Sequence, residues 1–309
     1  MELDEYARMS EDDLALRIRD QARARRAIIL AHNYQVDAVQ RVADRLGDSL
    51  RLARLATKTD AELIVLCGVT FMAESAKILN PEKKVIIPVR EAGCPMADMC
   101  EPEALEAFKR EHPGVPVVCY VNTSAAVKAV SDVCCTSSNA VEIVRAIDAD
   151  EVIFVPDRNL AAYVATKTEK RVIPWEGYCY VHDSFVAEDV ALARAEHPGA
   201  GVVVHPESPP DVIEAADFVG STEGMMKLAA EHDELIVGTE VGLIERMNRE
   251  YPESRFYPLS AFAVCRGMKV TDLPELAWAL EHEEYEIEIA DAVQDGARRA
   301  LARMLDLST

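Results

Sequence analysis

Three of the eight cysteines, Cys94, Cys179 and Cys265, stand 85 and 86 residues apart. Each follows a short apolar run containing a proline, Pro88, Pro174 or Pro258, by five to seven residues. A period of this length matches one small α/β unit, so the spacing predicts one cysteine per repeat of a tandem triplication, all three converging on one point. Three thiolates meeting there suit a four-iron four-sulfur cluster in which one iron lacks a protein ligand and acts as a Lewis acid. Two other outcomes fit the same residues. Cys179 and His182 have C-x2-H spacing, and three thiolates plus one imidazole would complete a tetrahedral zinc site. Alternatively, all three are buried structural cysteines. Cys67 and Cys119 lie inside apolar runs and read as core, and Cys100, Cys134 and Cys135 have no spacing that suggests a role. These five are expected to be non-ligands.

A second set of reactive side chains follows the same period. His32, Tyr120 and His205 are separated by 88 and 85 residues, and each ends an apolar run. Two residues further on stand Tyr34, Asn122 and Glu207, which on an extended strand would share a face with the first member of each pair. Seventeen residues after the first members come Ser49, Ser137 and Thr222, the last preceded by Ser221. Hydroxyls that open helices serve as N-caps, and the same helix ends present N–H groups to phosphate or carboxylate. Glu240 is either a further site residue or an ordinary strand-end carboxylate.

The elements that must carry these residues are three sets of short, β-rich apolar runs. The first runs are Ala27–Gln35, Val115–Ser124 and Gly201–Ser208; the second are Ala61–Gly68, Asp150–Asp157 and Asp233–Glu240. The third are the proline-containing runs before the cysteines. Continuous apolar runs between helical patterns predict parallel strands covered on both faces. Two of the helical stretches end alike, at Glu111-His112-Pro113-Gly114 and Glu196-His197-Pro198-Gly199. The expected fold is α/β, with three pseudo-threefold-related repeats, each a three-layer αβα unit with a short parallel sheet. The active site is expected at the central junction, where the strands' carboxyl ends lie. The expected boundaries are 1–103, 104–190 and 191–271, followed by a C-terminal helical segment, 272–309.

Acidic residues outnumber basic ones 54 to 33, giving a net charge of −21. That field repels nucleic-acid phosphate and anionic membranes, so neither is an expected partner. An anionic substrate would need a local site that overcomes it. The longest apolar stretch, about Leu63 to Ala73, is too short to span a bilayer. The acidic N-terminal residues lack signal-peptide features, and the expected location is the cytoplasm.

The segments AHNYQ, GVTFMAESAKILNP, AGCPMADMC, YVNTSAAVKA, WEGYCYVH, HPES and GSTEGM resemble A-type, iron–sulfur-dependent quinolinate synthases over nearly the whole chain. The resemblance implies a transferase-type condensation of iminoaspartate with dihydroxyacetone phosphate to give quinolinate, phosphate and water, in the biosynthesis of NAD. It also implies a source of iminoaspartate, an aspartate oxidase or dehydrogenase, as a functional partner. By motif, Cys94, Cys179 and Cys265 would hold the cluster. His32, Tyr34, Tyr120, Asn122, His182, His205 and Glu207 would line the cavity, and Ser49, Ser137, Ser221 and Thr222 would bind phosphate or carboxylates. Glu207 is the expected general base, with Tyr34, His205 and His182 as further proton carriers. The segment CRGMK at Cys265 lacks the second nearby cysteine of some relatives, which argues against a local redox switch. An iron–sulfur dehydratase of another hydroxy acid and a non-catalytic metal or redox sensor are the competing functions.

Overall fold

A computed structural model describes residues 1–308. The chain is α/β and holds three four-stranded parallel sheets. The first contains β1 (Ala27–His32), β2 (Arg45–Gly47), β3 (Leu63–Cys67) and β4 (Lys84–Ile86) in the order β2-β1-β3-β4. The second contains β5 (Val117–Tyr120), β6 (Val133–Cys135), β7 (Glu151–Val155) and β8 (Arg171–Pro174). The third contains β9 (Gly201–Val204), β10 (Phe218–Val219), β11 (Glu234–Gly238) and β12 (Arg255–Pro258). Their orders, β6-β5-β7-β8 and β10-β9-β11-β12, repeat the first. The expected triplication of an αβα unit with a short parallel sheet is therefore present. The central strands β3 and β7 are almost wholly buried, as strands covered by helices on both faces must be.

Each unit has four strands where the apolar runs predict three. The additional strands, β2, β6 and β10, are edge strands of two or three residues, too short to display a pattern. One device repeated three times holds them. Asp44, Asp132 and Asp217 immediately precede these strands, and their carboxylates accept from the N–H of Ile29, Val117 and Val202 at 2.8, 2.7 and 2.8 Å. The same aspartates donate their own N–H back to the carbonyls of Ile29, Val117 and Val202. Each clamp satisfies two strand-end groups that the ladder leaves open and sets the register of an otherwise marginal strand.

The chain divides into two compact units. Unit 1 is Met1–Cys94 with Cys265–Ala290, and unit 2 is Pro95–Val264 with the chain from Asp291 on. In unit 1 the helix Glu11–Ala24, capped by Ser10, packs against the helix Leu273–His282. Leu14, Ile18, Leu273, Leu276 and Leu280 from these helices join Ile29 and Val65 of the sheet in one core. Glu281 ties the pair by accepting from Arg17 at 2.6 Å, Gln21 at 2.8 Å and the Tyr6 hydroxyl. In unit 2 the helix Asp291–Leu307 packs on the helix Ala125–Ala129 and on β6. Gly296 permits that approach, because a Cβ there would lie 2.5 Å from the Ala129 carbonyl oxygen. No helix among the described residues is long and apolar enough to cross a membrane.

The clamp at Asp217 is pH-sensitive. Its hydrogen bond from Arg194, and then that from the Val202 N–H, hold its carboxyl below the usual value. A depressed folded-state pKa adds stability above the unfolded value of about 3.9, and this contribution is lost as pH falls below it. Because Asp217 is well exposed, the charge should contribute about 1 kcal/mol or less. Urea unfolding of wild type and Asp217→Asn should show a wild-type advantage near neutral pH that shrinks below about pH 4.

Candidate active site

Unit 2 brings together Tyr120, His182, His205 and Glu207, each with at most 5% of its surface exposed. Glu207 is their hub. One carboxylate oxygen, Oε1, accepts the Tyr120 hydroxyl at 2.5 Å, and the other, Oε2, lies 2.7 Å from His182 Nδ1. His205 Nδ1 is 3.8 Å from Oε2, and the His182 and His205 rings stack with centroids 4.3 Å apart. Burial alone would raise the Glu207 pKa, but the two histidine charges and the hydrogen bonds of His182 and Tyr120 outweigh it and hold it at about 2.

The hydrogen bonds assign the ring tautomers. The N–H of Glu207 donates to His205 Nδ1 at 3.3 Å, so a neutral His205 carries its proton on Nε2. His32 in unit 1 repeats this geometry, with the N–H of Tyr34 donating to its Nδ1 at 3.2 Å. The strands end at His32, Tyr120 and Val204, so Tyr34, Asn122 and Glu207 stand in the turns beyond rather than on a shared strand face. In the two histidine-containing turns the i+2 N–H is spent on the ring nitrogen instead of the ladder. His182 Nε2 is 2.9 Å from the hydroxyl of Thr239, a residue with 1% exposure at the end of β11.

Neighbouring side chains hold the turn containing Cys179 and His182. Asp157 caps the helix Arg158–Ala165 through Leu160 and also accepts the Cys179 N–H at 3.1 Å. Gly177 is required at that approach, since a Cβ would lie 2.5 Å from the Pro156 carbonyl oxygen. Asn159 donates to Asp183 Oδ1 at 2.7 Å and to the Glu207 carbonyl at 3.1 Å, and Arg158 pairs with Asp183. Thr239 and Asn159 have no counterpart in the threefold spacing, so the sequence did not single them out; Asp157 ends a second apolar run as Glu240 does, and both cap the helix that follows.

Unit 1 holds His32, Tyr34, Ser49, Cys94 and Cys265. A Cβ on Gly267 would overlap the Gly93 carbonyl, so the segments carrying Cys94 and Cys265 lie side by side. Lys269 donates to the Tyr34 carbonyl at 2.7 Å, which sets the Cys265 segment beside the end of β1. The caps differ from the expected residues. Asp48, not Ser49, caps the helix Ser49–Lys58, and Ser221, not Thr222, caps the helix Thr222–Ala229. Their side chains reach the N–H groups of Arg51 and Gly224, whereas Ser49 and Thr222 are already the first helical residues. Ser137 precedes the third such helix, Ala140–Ala146, and its neighbour Ser138 bonds Ser221 at 3.0 Å. Glu240 is fully buried and accepts the Gly242 N–H at 2.7 Å as the cap of the helix Val241–Glu250.

The donor set suits a metal. Cys94, Cys179 and Cys265 are partly exposed, and the other five cysteines are buried. Burial pushes the thiols of Cys67, Cys100, Cys134 and Cys135 up, against ligation as thiolates. At Cys119 burial also acts upward, but a hydrogen bond from Cys134 and the charge of Lys128 bring the thiol down to about 7. Ligand atoms of Cys179, His182 and Glu207 lie within 4.8 Å of one another and could hold a metal ion. The buried Asn122 Oδ1 makes no hydrogen bond among the described residues and can accept one from a ligand.

A family profile described as quinolinate synthetase A protein, NadA, matches residues 16–306. The chain belongs to the quinolinate synthetase A family. It is 48% identical over 302 residues to the quinolinate synthase of Alkaliphilus metalliredigens, covering 97% of this chain and 100% of that protein. The quinolinate synthase of Methanoregula boonei is 49% identical over 307 residues, 99% of this chain and 100% of the relative. That of Pyrococcus horikoshii is 50% identical over 286 residues, 92% and 95% of the two chains. Family membership thus covers both compact units, with the buried Glu207 array inside the matched region.

The Thr239 hydroxyl should matter to this array. Thr239→Val removes the group that His182 Nε2 bonds in a site without solvent access. Chemical denaturation should show a loss of about 1–3 kcal/mol. Thr239→Ser, which keeps the hydroxyl, should recover most of it.

Proposed function

We propose that this protein is a quinolinate synthase that condenses iminoaspartate with dihydroxyacetone phosphate, releasing phosphate and water, in the biosynthesis of NAD. The observation that carries the proposal is the buried Glu207 bonded to Tyr120 and His182, beside Cys179, in a member of this family. The reaction class is a transferase-type condensation acting in the cytoplasm, with an aspartate oxidase or dehydrogenase supplying the imine. The proposed functional units are the three repeats, 1–103, 104–190 and 191–271, with 272–309 as a C-terminal helical segment.

Cys94, Cys179 and Cys265 are the proposed ligands of one four-iron four-sulfur cluster, supported by their shared period and their partial exposure among buried cysteines. When bound, such a cluster would leave one iron without a cysteine, a Lewis acid toward a substrate oxygen. Glu207 is the proposed general base. Its low pKa keeps it ionised at neutral pH, and it gains basicity when substrate displaces the Tyr120 or His182 hydrogen bond that stabilises the anion. Tyr120 orients the carboxylate, and His205 presents Nε2–H as an acid or donor. His182, held between Glu207 and Thr239, and Tyr34 are the further proton carriers. Asn122 Oδ1 and His32 Nε2–H bind substrate polar groups, and Ser49, Ser137, Ser221 and Thr222 bind its phosphate or carboxylates.

A second metal reading rests on the Cys179, His182 and Glu207 group, which could hold a single divalent ion. Both His182 nitrogens already have hydrogen-bond partners, so that ion would have to displace Glu207 or Thr239.

Anaerobic purification should yield about four irons and four sulfides per chain, lost when Cys94, Cys179 or Cys265 is replaced by Ser. Stoichiometric zinc instead would support the single-ion reading. Supplied with both substrates, wild type should form quinolinate, identified by mass. Glu207→Gln should retain the iron and lower turnover at least about 100-fold. Turnover close to wild type would remove Glu207 from the role of base.

A further inference from the structure

Unit 2 contains a cavity of about 480 Å³ whose cations the mechanism above does not use. Its lining includes Ser137, Ser138, Ser221 and Pro206, the last of these lying in the chain between His205 and Glu207. Three cations, Arg145, Lys167 and Lys227, line the same cavity. An adjoining cavity of about 960 Å³ shares Arg145 and Lys167 and adds Lys170 together with the carboxylates Asp150 and Glu169.

The chain has 54 acidic residues for 33 basic ones, yet none of Arg145, Lys167, Lys170 and Lys227 forms an ion pair among the described residues. Two of them are held together despite like charge. The Arg145 guanidinium donates to the Lys167 carbonyl, and the Lys167 ammonium lies 5.4 Å from the centre of the Tyr163 ring, another lining residue. Two carboxylates, Glu142 and Glu223, also line the cavity, leaving it with net positive charge within a protein of net charge −21. Cations without an ion-pair partner beside hydroxyl groups match a tetrahedral dianion, which takes charge from several sides and hydrogen bonds from serines.

We propose that this cavity is a docking site for a phosphoryl dianion, an outer station where three cations offset the protein's repulsive field. The proposal deepens the functional reading above and rests on it for the ligand's source. The ligand is either the phosphate monoester before it reacts or the inorganic phosphate after release. The serines are shared with the proposed substrate contacts, while Arg145, Lys167 and Lys227 are specific to this station.

The test is a triple variant, Arg145→Gln with Lys167→Gln and Lys227→Gln, all exposed positions where substitution leaves the core intact. A control triple, Arg19→Gln with Arg23→Gln and Lys58→Gln, removes the same charge elsewhere. Calorimetric titration of the holoenzymes with inorganic phosphate and, separately, with dihydroxyacetone phosphate should show binding weakened about tenfold or more in the first triple only. The KM for the phosphorylated substrate should rise by a similar factor, with a smaller change in kcat and a flatter dependence of kcat/KM on salt. Weakened binding of the ester alone marks an entry station, and of inorganic phosphate alone an exit station. Unchanged titrations, KM and salt dependence in the first triple would overturn the site even if quinolinate is formed. If wild type forms no quinolinate but loses phosphate binding in that triple, the site stands and the proposed reaction falls.

Discussion

An aspartate that both accepts from and donates to the neighbouring strand underlies each repeat. Without Asp44, Asp132 and Asp217, the edge strands β2, β6 and β10 would hold only two or three ladder positions apiece, too few to fix a register. A one-residue slip would turn the segments that follow, and with them Ser49, Ser137 and Ser221, away from the strand ends they accompany. The candidate site residues stand at strand ends, in turns and at helix starts, which have little stiffness of their own. Their positions are inherited from these paired backbone bonds and from the buried sheets behind them.

The Glu207 array illustrates the cost of placing a carboxylate where solvent cannot reach. An ion with 2% exposure loses most of its hydration, and only several aimed donors make ionisation tolerable. Tyr120 comes from the second repeat, His182 from the turn that carries Cys179, and His205 from the same turn as Glu207. The array therefore depends on two sheets within unit 2 holding their register together. Asn159 adds a direct tie, joining Asp183 to the Glu207 carbonyl.

Much of this was legible in the sequence because buried parallel strands read as uninterrupted apolar runs, and because triplication writes each polar strand end three times. The cysteine period separated Cys94, Cys179 and Cys265 from five others that the fold buries. The edge strands were not legible, since Phe218–Val219 is too short to carry periodicity. Yet Asp44, Asp132 and Asp217 lie five residues before Ser49, Ser137 and Thr222, so aligning the repeats on those hydroxyls would have exposed the clamp. Ser49 and Thr222 stand one residue after the true caps, since a hydroxyl that opens a helix cannot be told by pattern from the capping residue before it, whereas Ser137 lies two residues before the cap position Asn139. Thr239 and Asn159 were invisible for another reason: each acts once, in one repeat, and a single polar residue at a strand or helix end carries no spacing to read.

The compact units are discontinuous along the chain, and that has a consequence for biogenesis. The sheet of unit 1 is complete by Ile86, but Leu273, Leu276 and Leu280, which cover its N-terminal helix, leave the ribosome some 190 residues later. During that interval Leu14 and Ile18 lack their partners, while most of unit 2 has already emerged and can pack. The nascent chain thus carries an unfinished apolar face through most of its synthesis, a natural point of engagement for a chaperone. Cys265 emerges only as this face is about to close, so the three periodic cysteines are not all available until translation is nearly over.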